Sequence, residues 1–317
     1  MHPLLEVKNL SVQIPIKGTL CTVVDHLNFS MYPGKTVAIV GESGCGKSMA
    51  ALSLLRLHPF PISGEVLFEE NNLVTLPDKN LRRIRGAKIA MIFQDPSNTL
   101  NPVYTIGEQL SEILFQHTDA EEDEVEDRII AGLAEVGIPT PGELLNRYPH
   151  QLSGGMKQRV MIAGALLCKP SILIADEPTT ALDVTVQAQV LDLLRHLRDT
   201  YSMGVLLITH DMGVVAEIAD EVLVMYAGQV VERGNTEQIF THMSHPYTQG
   251  LFASRPSLTD PQRKLQGIPG SVPPPNKFPS GCRFHPRCPY VMEKCKVGKV
   301  PQFTISPHHL AACWLYE

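Results

Sequence analysis

Short apolar runs, each bounded by turn residues, alternate along the chain with stretches of helical period. Thr36–Val40, Ile89–Phe93, Ser171–Ala175 and Val205–Thr209 are too short for helices and almost free of charge. Runs of this kind read as strands buried on both faces of a parallel sheet. Leu4–Ile14 and Val23–Met31 predict two further strands around a loop with Pro15 and Gly18, and Glu65–Phe68 another. Helices are predicted over Met49–Arg56, Asp78–Ile84 and Val184–Arg198, with another from Met212. Between Ile106 and Leu167 the period is helical throughout, which predicts an all-helical insert between two strands of the main sheet. Acidic residues at Glu121–Glu124 suit the first turn of one of its helices, and Gly137-Ile138-Pro139 ends it. Val222–Tyr226 and Gln229–Glu232 read as a hairpin around Ala227-Gly228, followed beyond Gly234 by two short helices. Pro256, Pro261, Pro269, Pro273, Pro274, Pro275 and Pro279 then predict a linker or an irregular appended domain. The fold class is therefore α/β, with a helical insert and an irregular C-terminal extension.

One junction in this pattern carries chemistry. After the strand Thr36–Val40 comes Gly41-Glu42-Ser43-Gly44-Cys45-Gly46-Lys47-Ser48, and Met49 continues the helix that follows. Strand, Gly-rich loop and helix start are the setting of a phosphate-binding loop. Glycines let backbone N–H groups turn inward toward an anion, and the helix N-terminus adds its positive dipole end. Lys47 is placed to reach the β- and γ-phosphates, and the Ser48 hydroxyl to ligate Mg²⁺.

Composition narrows the partners. Of 317 residues, 44% are hydrophobic and 19% charged, ordinary for a soluble globular chain. The net charge of −6 argues against nucleic acid or an anionic lipid surface as ligand. No apolar run approaches the ~18 residues of a membrane span, and the N-terminus lacks a basic region followed by an apolar stretch. A cytosolic chain is expected, docked to a membrane only through protein partners.

Two more segments bear on the phosphate loop. Ile172-Leu173-Ile174-Ala175 ends in Asp176 and Glu177. On a strand beside the loop, Asp176 would stand near Mg²⁺, and Glu177 where a carboxylate can polarise an attacking water. Upstream, Leu152-Ser153-Gly154-Gly155-Met156-Lys157-Gln158-Arg159 opens a helix with a serine and bare backbone N–H groups, a second anion-binding surface. One nucleotide does not need two phosphate clamps on one chain.

LSGGMKQR between the phosphate loop and ILIADEPTTALD resembles the signature of ATP-binding cassette (ABC) ATPases. Gln94 matches that family's Q-loop, Asp183 in Ala181-Leu182-Asp183 its D-loop and His210 its switch histidine. The resemblance covers Leu4 to Gly234 and implies a P-loop NTPase core of ABC type with an antiparallel β subdomain. The core would span 1–94 and 168–234, a helical subdomain 95–167 and a C-terminal extension 235–317. It further implies two nucleotide domains dimerised head to tail. Lys47, Ser48 and the rest of Gly41–Met49 would hold ATP, with Ser48, Gln94 and Asp176 around Mg²⁺. Glu177 would be the general base, and His210 would contact the γ-phosphate. Ser153, Gly154 and Gly155 would cap the partner's ATP. The aromatic residue that the family stacks on adenine is lacking between Leu10 and Thr22, where Ile14 stands instead.

Further phrases resemble one branch, the ATPases of bacterial dipeptide and oligopeptide importers, and within it the "D" type. These are Met91–Pro96 with Ser97–Pro102, Tyr148-Pro149-His150-Gln151, Met225–Glu232 and His245-Pro246-Tyr247-Thr248. The branch implies two transmembrane permease subunits, a second and paralogous ATPase subunit, an extracytoplasmic solute-binding protein and a place on the cytoplasmic face of the inner membrane. It also includes nickel importers, so the solute stays open. A DNA- or ribosome-associated ABC ATPase is the competing class, but the chain has one cassette and no basic extension. A redox- or iron-sensing regulator is a third. Cys282-x5-Cys288-x6-Cys295-x17-Cys313 supplies four thiols to a proline-rich tail that needs a staple. By count, Zn²⁺ and a [4Fe–4S] cluster both suit. The spacing lacks the close pairs of zinc sites, and the branch resemblance favours iron–sulfur. His285, His308 and His309 read as bystanders.

Overall fold

The computed structural model describes residues 2–180, 183–254 and 267–317. Ala181 and Leu182 of the D-loop phrase, and Pro256 and Pro261 of the proline tract, lie outside the described residues. In chain order the elements begin β1 (Leu5–Ile16), β2 (Thr19–Met31), β3 (Thr36–Val40), α1 (Lys47–Leu54), β4 (Ile62–Phe68), β5 (Asn71–Asn72), α2 (Asp78–Ile84) and β6 (Ile89–Ile92). The helical stretch follows: α3 (Pro96–Thr99), α4 (Ile106–His117), α5 (Glu122–Glu135), α6 (Pro141–Leu144) and α7 (Gly154–Leu166). Next come β7 (Ile172–Asp176), α8 (Val184–Tyr201), β8 (Gly204–Thr209), α9 (Met212–Ile218), β9 (Glu221–Tyr226) and β10 (Gln229–Asn235). The chain closes with α10 (Thr236–Thr241), α11 (Pro246–Ala253), β11 (Phe303–Ser306) and β12 (His309–Ala311).

The chain forms two compact units. The first is built mainly from Thr75–Leu207. In it β6 runs parallel to β7, with Ile89 opposite Ile172 and Ile92 opposite Ala175. β8 lies on the other side of β7. Every residue of β7 is buried, as its unbroken apolar run requires of a central parallel strand. The helical stretch packs by its own stripes. α4 buries Ile106, Leu110 and Leu114, and a capping box of Thr105 and Glu108 starts it. α5 buries Val125, Ile129 and Leu133 at strict helical spacing behind its acidic first turn. α7 comes close to α4 at Gly164, where a Cβ would stand 3.1 Å from a Leu110 methyl.

The second unit comprises Leu5–Ser30, Thr36–Val74 and Ile208–Glu317. Its antiparallel sheet runs in the order β2-β1-β4-β5. β1 continues past Ile14 to Ile16, with Pro15 beyond its last pairing with β4 at Val12. β4 begins at Ile62, so the break at Pro59–Gly64 is shorter than the prolines imply. In the same unit β3 pairs parallel with β9, and β9 antiparallel with β10. The tail adds two strands. β12 pairs with the free side of β10, and β11 with β12. The appended segment is therefore a hairpin joined to a sheet edge, followed and preceded by short 3₁₀ turns, and not wholly irregular.

Candidate active site

The phosphate loop leaves the end of β3 and turns into α1. At Gly46, the N-cap, φ is +107° and a Cβ would stand 2.6 Å from the Val23 carbonyl oxygen. Only glycine fits both the backbone and the space. The Lys47 side chain is buried inside the loop, its Nζ donating to the carbonyls of Gly41 at 2.9 Å and Glu42 at 3.1 Å. Ser43 and Gly44 are exposed at the loop's tip, and Ser48 and Met49 half-buried on α1. Cys45 is buried, and burial raises its thiol above the ordinary range, so it stays protonated and packs as an apolar group. Its carbonyl accepts from the Gly228 N–H at 2.8 Å, which ties the loop to the β9–β10 turn.

The base of the loop rests on residues from the far end of the chain. The Glu42 N–H donates to the Tyr247 hydroxyl at 2.8 Å. The Glu42 carboxylate accepts both ends of the Arg287 guanidinium, at 2.8 and 3.0 Å. Arg287 lies in the 3₁₀ turn His285–Arg287, also donating to the Pro269 carbonyl at 2.7 Å. Beneath this pair Tyr226, Tyr247 and Phe284 form a buried aromatic cluster with centroids 4.6 to 5.3 Å apart. Arg283 makes a second tie, its guanidinium 2.7 Å from the Asp25 carboxylate on β2. Burial alone would raise the Asp25 pKa, but hydrogen bonds from His26 and Gln229 and the Arg283 charge bring it below its ordinary value.

At the C-terminal end of β7, Asp176 is buried and Glu177 half-buried with φ +47°. A non-glycine residue in that region stores strain, and such residues cluster at functional sites. The structure brings Gln94 to it: its side-chain amide donates to the Glu177 carboxylate at 3.0 Å, and the Thr180 hydroxyl donates to the same oxygen at 2.8 Å. Gln94 and Glu177 are thus held together across 83 residues of sequence.

Ser153 caps α7, its hydroxyl accepting from the Met156 N–H at 3.3 Å. Gly154 and Ser153 are exposed. Gln158 on the buried face of α7 donates to the Pro178 carbonyl at 2.6 Å, which fixes the helix to the loop just after Glu177. Asp183 caps α8 by accepting from the Val186 N–H at 3.0 Å. His210 is exposed at the end of β8, and Asp211 beside it caps α9.

Cys282, Cys288, Cys295 and Cys313 converge. All four line one mainly apolar cavity of about 10 Å³. Burial pushes Cys282 up to about 11, reinforced by the other three thiols. Among the described residues no three His, Cys, Asp or Glu gather round a point as ligands of a single metal ion. Two buried N–H groups on residues that line the cavity lack partners, Nε2 of His245 and Nε1 of Trp314. His245 is neutral, its pKa driven by burial down to about 3. Its Nδ1 accepts from the Tyr247 N–H at 3.0 Å, so Nε2 carries the proton.

Several of these residues carry no readable signal. Tyr226, Tyr247, Arg283 and Arg287 belong to no nucleotide motif, and only the branch phrases Met225–Glu232 and His245-Pro246-Tyr247-Thr248 touch two of them, Tyr226 and Tyr247. His309 is no bystander: it is buried, 2.8 Å from the Glu232 carboxylate. His285 lines the thiol cavity, its ring nitrogen 2.9 Å from the Cys282 carbonyl.

Residues 24–180 match the family described as ABC transporter, and residues 231–295 the family described as oligopeptide/dipeptide transporter, C-terminal region. The oligopeptide transport ATP-binding protein AppD of Bacillus subtilis is 46% identical over 100% of this chain and 98% of its own length. The dipeptide transport ATP-binding protein DppD of Haemophilus influenzae is 48% identical over 98% of this chain and 93% of its own. Among solved structures, the ATP-binding cassette MJ0796, bound to ADP and Pi as a dimer in a post-hydrolysis state, superposes with a TM-score of 0.66 at 29% identity. It covers 73% of this chain and 98% of that one. CbiO1 from Clostridium perfringens, part of the ABC transporter complex cbiONQ, gives a TM-score of 0.65, also at 29% identity, over 77% of this chain and 92% of that one.

Proposed function

The chain belongs to the ABC transporter ATP-binding proteins of the peptide-import branch, and on that premise we propose that it is the ATP-hydrolysing motor subunit of an importer of dipeptides or oligopeptides. The observation that carries this reading is similarity to peptide transport ATP-binding proteins along the whole chain, the C-terminal extension included. The functional division runs 1–94 with 168–234 as cassette core, 95–167 as helical subdomain and 235–317 as importer-type extension.

The roles follow the chemistry of each residue. Lys47 and the N–H groups of Gly41–Met49 bind the ATP phosphates, and Ser48 and Asp176 hold Mg²⁺. Glu177 takes the proton of the attacking water as it adds to the γ-phosphorus, and ADP leaves. Gln94 orients the Glu177 carboxylate and the water, which its hydrogen bond to Glu177 supports. His210 stabilises charge on the γ-phosphate. Ser153, Gly154 and Gly155 cap ATP held by a second ATPase subunit, a paralogue, and Asp183 lies at that interface. ATP binding closes the pair and hydrolysis reopens it, and the helical subdomain passes the movement to two permease subunits fed by a solute-binding protein. The chain sits on the cytoplasmic face of the inner membrane through those permeases, and none of its described helices is long and apolar enough to cross a membrane.

Cys282, Cys288, Cys295 and Cys313 are proposed to hold a [4Fe–4S] cluster, and the partnerless His245 Nε2 and Trp314 Nε1 on the same cavity wall would be available as donors to it. Such a cluster supplies a rigid staple for the tail and one-electron chemistry. Anaerobic purification should yield four irons and four acid-labile sulfides per chain; a colourless protein carrying zinc would overturn that assignment.

Glu177→Gln tests the motor reading. It should retain MgATP binding and lower hydrolysis by at least about 100-fold, the contribution of a general base. Unchanged turnover would remove Glu177 from that role. Solubilised membranes should yield the chain together with two permeases and a second ATPase, and recovery with ribosomes or DNA would overturn import.

A further inference from the structure

A carboxylate in an anion-binding loop is an electrostatic liability. Glu42 stands second in the phosphate loop, and its charge would oppose any phosphate bound at the loop's N–H groups. The Arg287 fork neutralises it at 2.8 and 3.0 Å, with the Arg287 side chain only 6% exposed. The Tyr247 hydroxyl fixes the same residue from its other side by accepting the Glu42 N–H. Neither group has slack. Tyr247 is fully buried, with its ring against Tyr226 and Phe284. Arg287 is also held by the carbonyls of Pro269, Ile268 and Gly270. Both residues adjoin ones that line the thiol cavity: Arg287 precedes Cys288 in sequence, and the Tyr247 N–H donates to His245.

We propose that Arg287 and Tyr247 are positioning residues for nucleotide binding: Arg287 cancels the Glu42 charge and Tyr247 fixes the Glu42 backbone, so the C-terminal extension is part of the nucleotide site. This rests on the reading of Gly41–Ser48 as the ATP phosphate site. It assigns the extension a function in the ATPase itself, beyond stapling the tail.

The test is titration of the full chain with a fluorescent ATP analogue and Mg²⁺, and turnover of the assembled complex. Arg287→Ala should weaken binding about 10-fold, the scale of losing one charge-assisted bidentate contact. The loss should appear in KM while kcat at saturating ATP stays within about twofold, since the pair acts on bound ground state and transition state alike. Adding Glu42→Gln to Arg287→Ala should restore affinity to within about threefold of the parent, because the uncompensated charge is gone. A merely structural Arg287 gives no such rescue, and additive loss in the double variant overturns its role as neutraliser. Tyr247→Phe keeps the ring packing and removes only the acceptor, so it folds even where Arg287→Ala does not. It should weaken binding about fivefold, the scale of one lost hydrogen bond. Unchanged affinity in folded Tyr247→Phe and Arg287→Ala overturns the proposal. Failure of the parent chain itself to bind MgATP would overturn the phosphate-site reading instead.

Discussion

Asp25 and Arg283 show how single side chains fasten the tail to the cassette. Both are largely buried, at 17% and 13% exposure, and the Asp25 carboxylate also accepts from Gln229 at 2.8 Å. Because the folded pKa of Asp25 lies below its ordinary 3.8, the unfolded chain binds the proton more readily. Stability therefore rises with pH through the region between the folded pKa and 3.8, and is lost as pH falls through it. At pH 7 the contribution is complete. Asp25→Asn should cost about 2 kcal/mol there, less than a fully buried pair because some water reaches it. Urea unfolding of parent and variant should show that gap between pH 7 and pH 5 and its closing below pH 3.8. A gap independent of pH down to pH 2.5 would show that the charge on Asp25 is not what holds Arg283.

At the scale of elements, what was legible in the sequence follows from period. The strands β3, β6, β7 and β8 are unbroken apolar runs, and α4, α5 and α8 carry stripes, so short windows suffice to find them. Gly41–Ser48, Asp176 with Glu177 and the Ser153 cap are legible for the same reason: each is contiguous and sits at an element's end. The Gln94–Glu177 bond and the ties from Tyr247 and Arg287 to Glu42 join residues 83, 205 and 245 positions apart, and no local pattern encodes such pairs. The β11–β12 hairpin was hidden because its strands are short and half-polar, and become strands only by pairing with β10. Its anchor is His309, which satisfies the buried Glu232 on β10 together with the N–H groups of Ser244 and His245. His309→Ala should leave a buried carboxylate short of a partner and open a cavity, costing about 3 kcal/mol. Thermal unfolding should show a lower Tm for that variant. Equal stability would mean that Glu232 is served by its backbone partners alone.

On the scale of the whole molecule, the proposed function makes the phosphate loop and the signature helix halves of two different ATP sites. Ser153 and Gly154 are exposed at the start of α7, and Val184 at the start of α8 is 84% exposed. Asp183 next to it caps α8. In the proposed head-to-tail pair, nucleotide at the exposed start of α7 would bridge the two chains. A chain of 35.0 kDa carrying Glu177→Gln should therefore keep its monomer mass in light scattering with MgATP alone. It should double that mass when the paralogous ATPase subunit is added, and fall back when Mg²⁺ is chelated. Ser153→Arg should block the doubling without changing the affinity of this chain's own phosphate loop for nucleotide, since the proposed role of Ser153 is to cap the partner's ATP. Doubling of the single chain with MgATP alone would replace the paralogue by a second copy, and no doubling in either mixture would break the link between the signature helix and ATP.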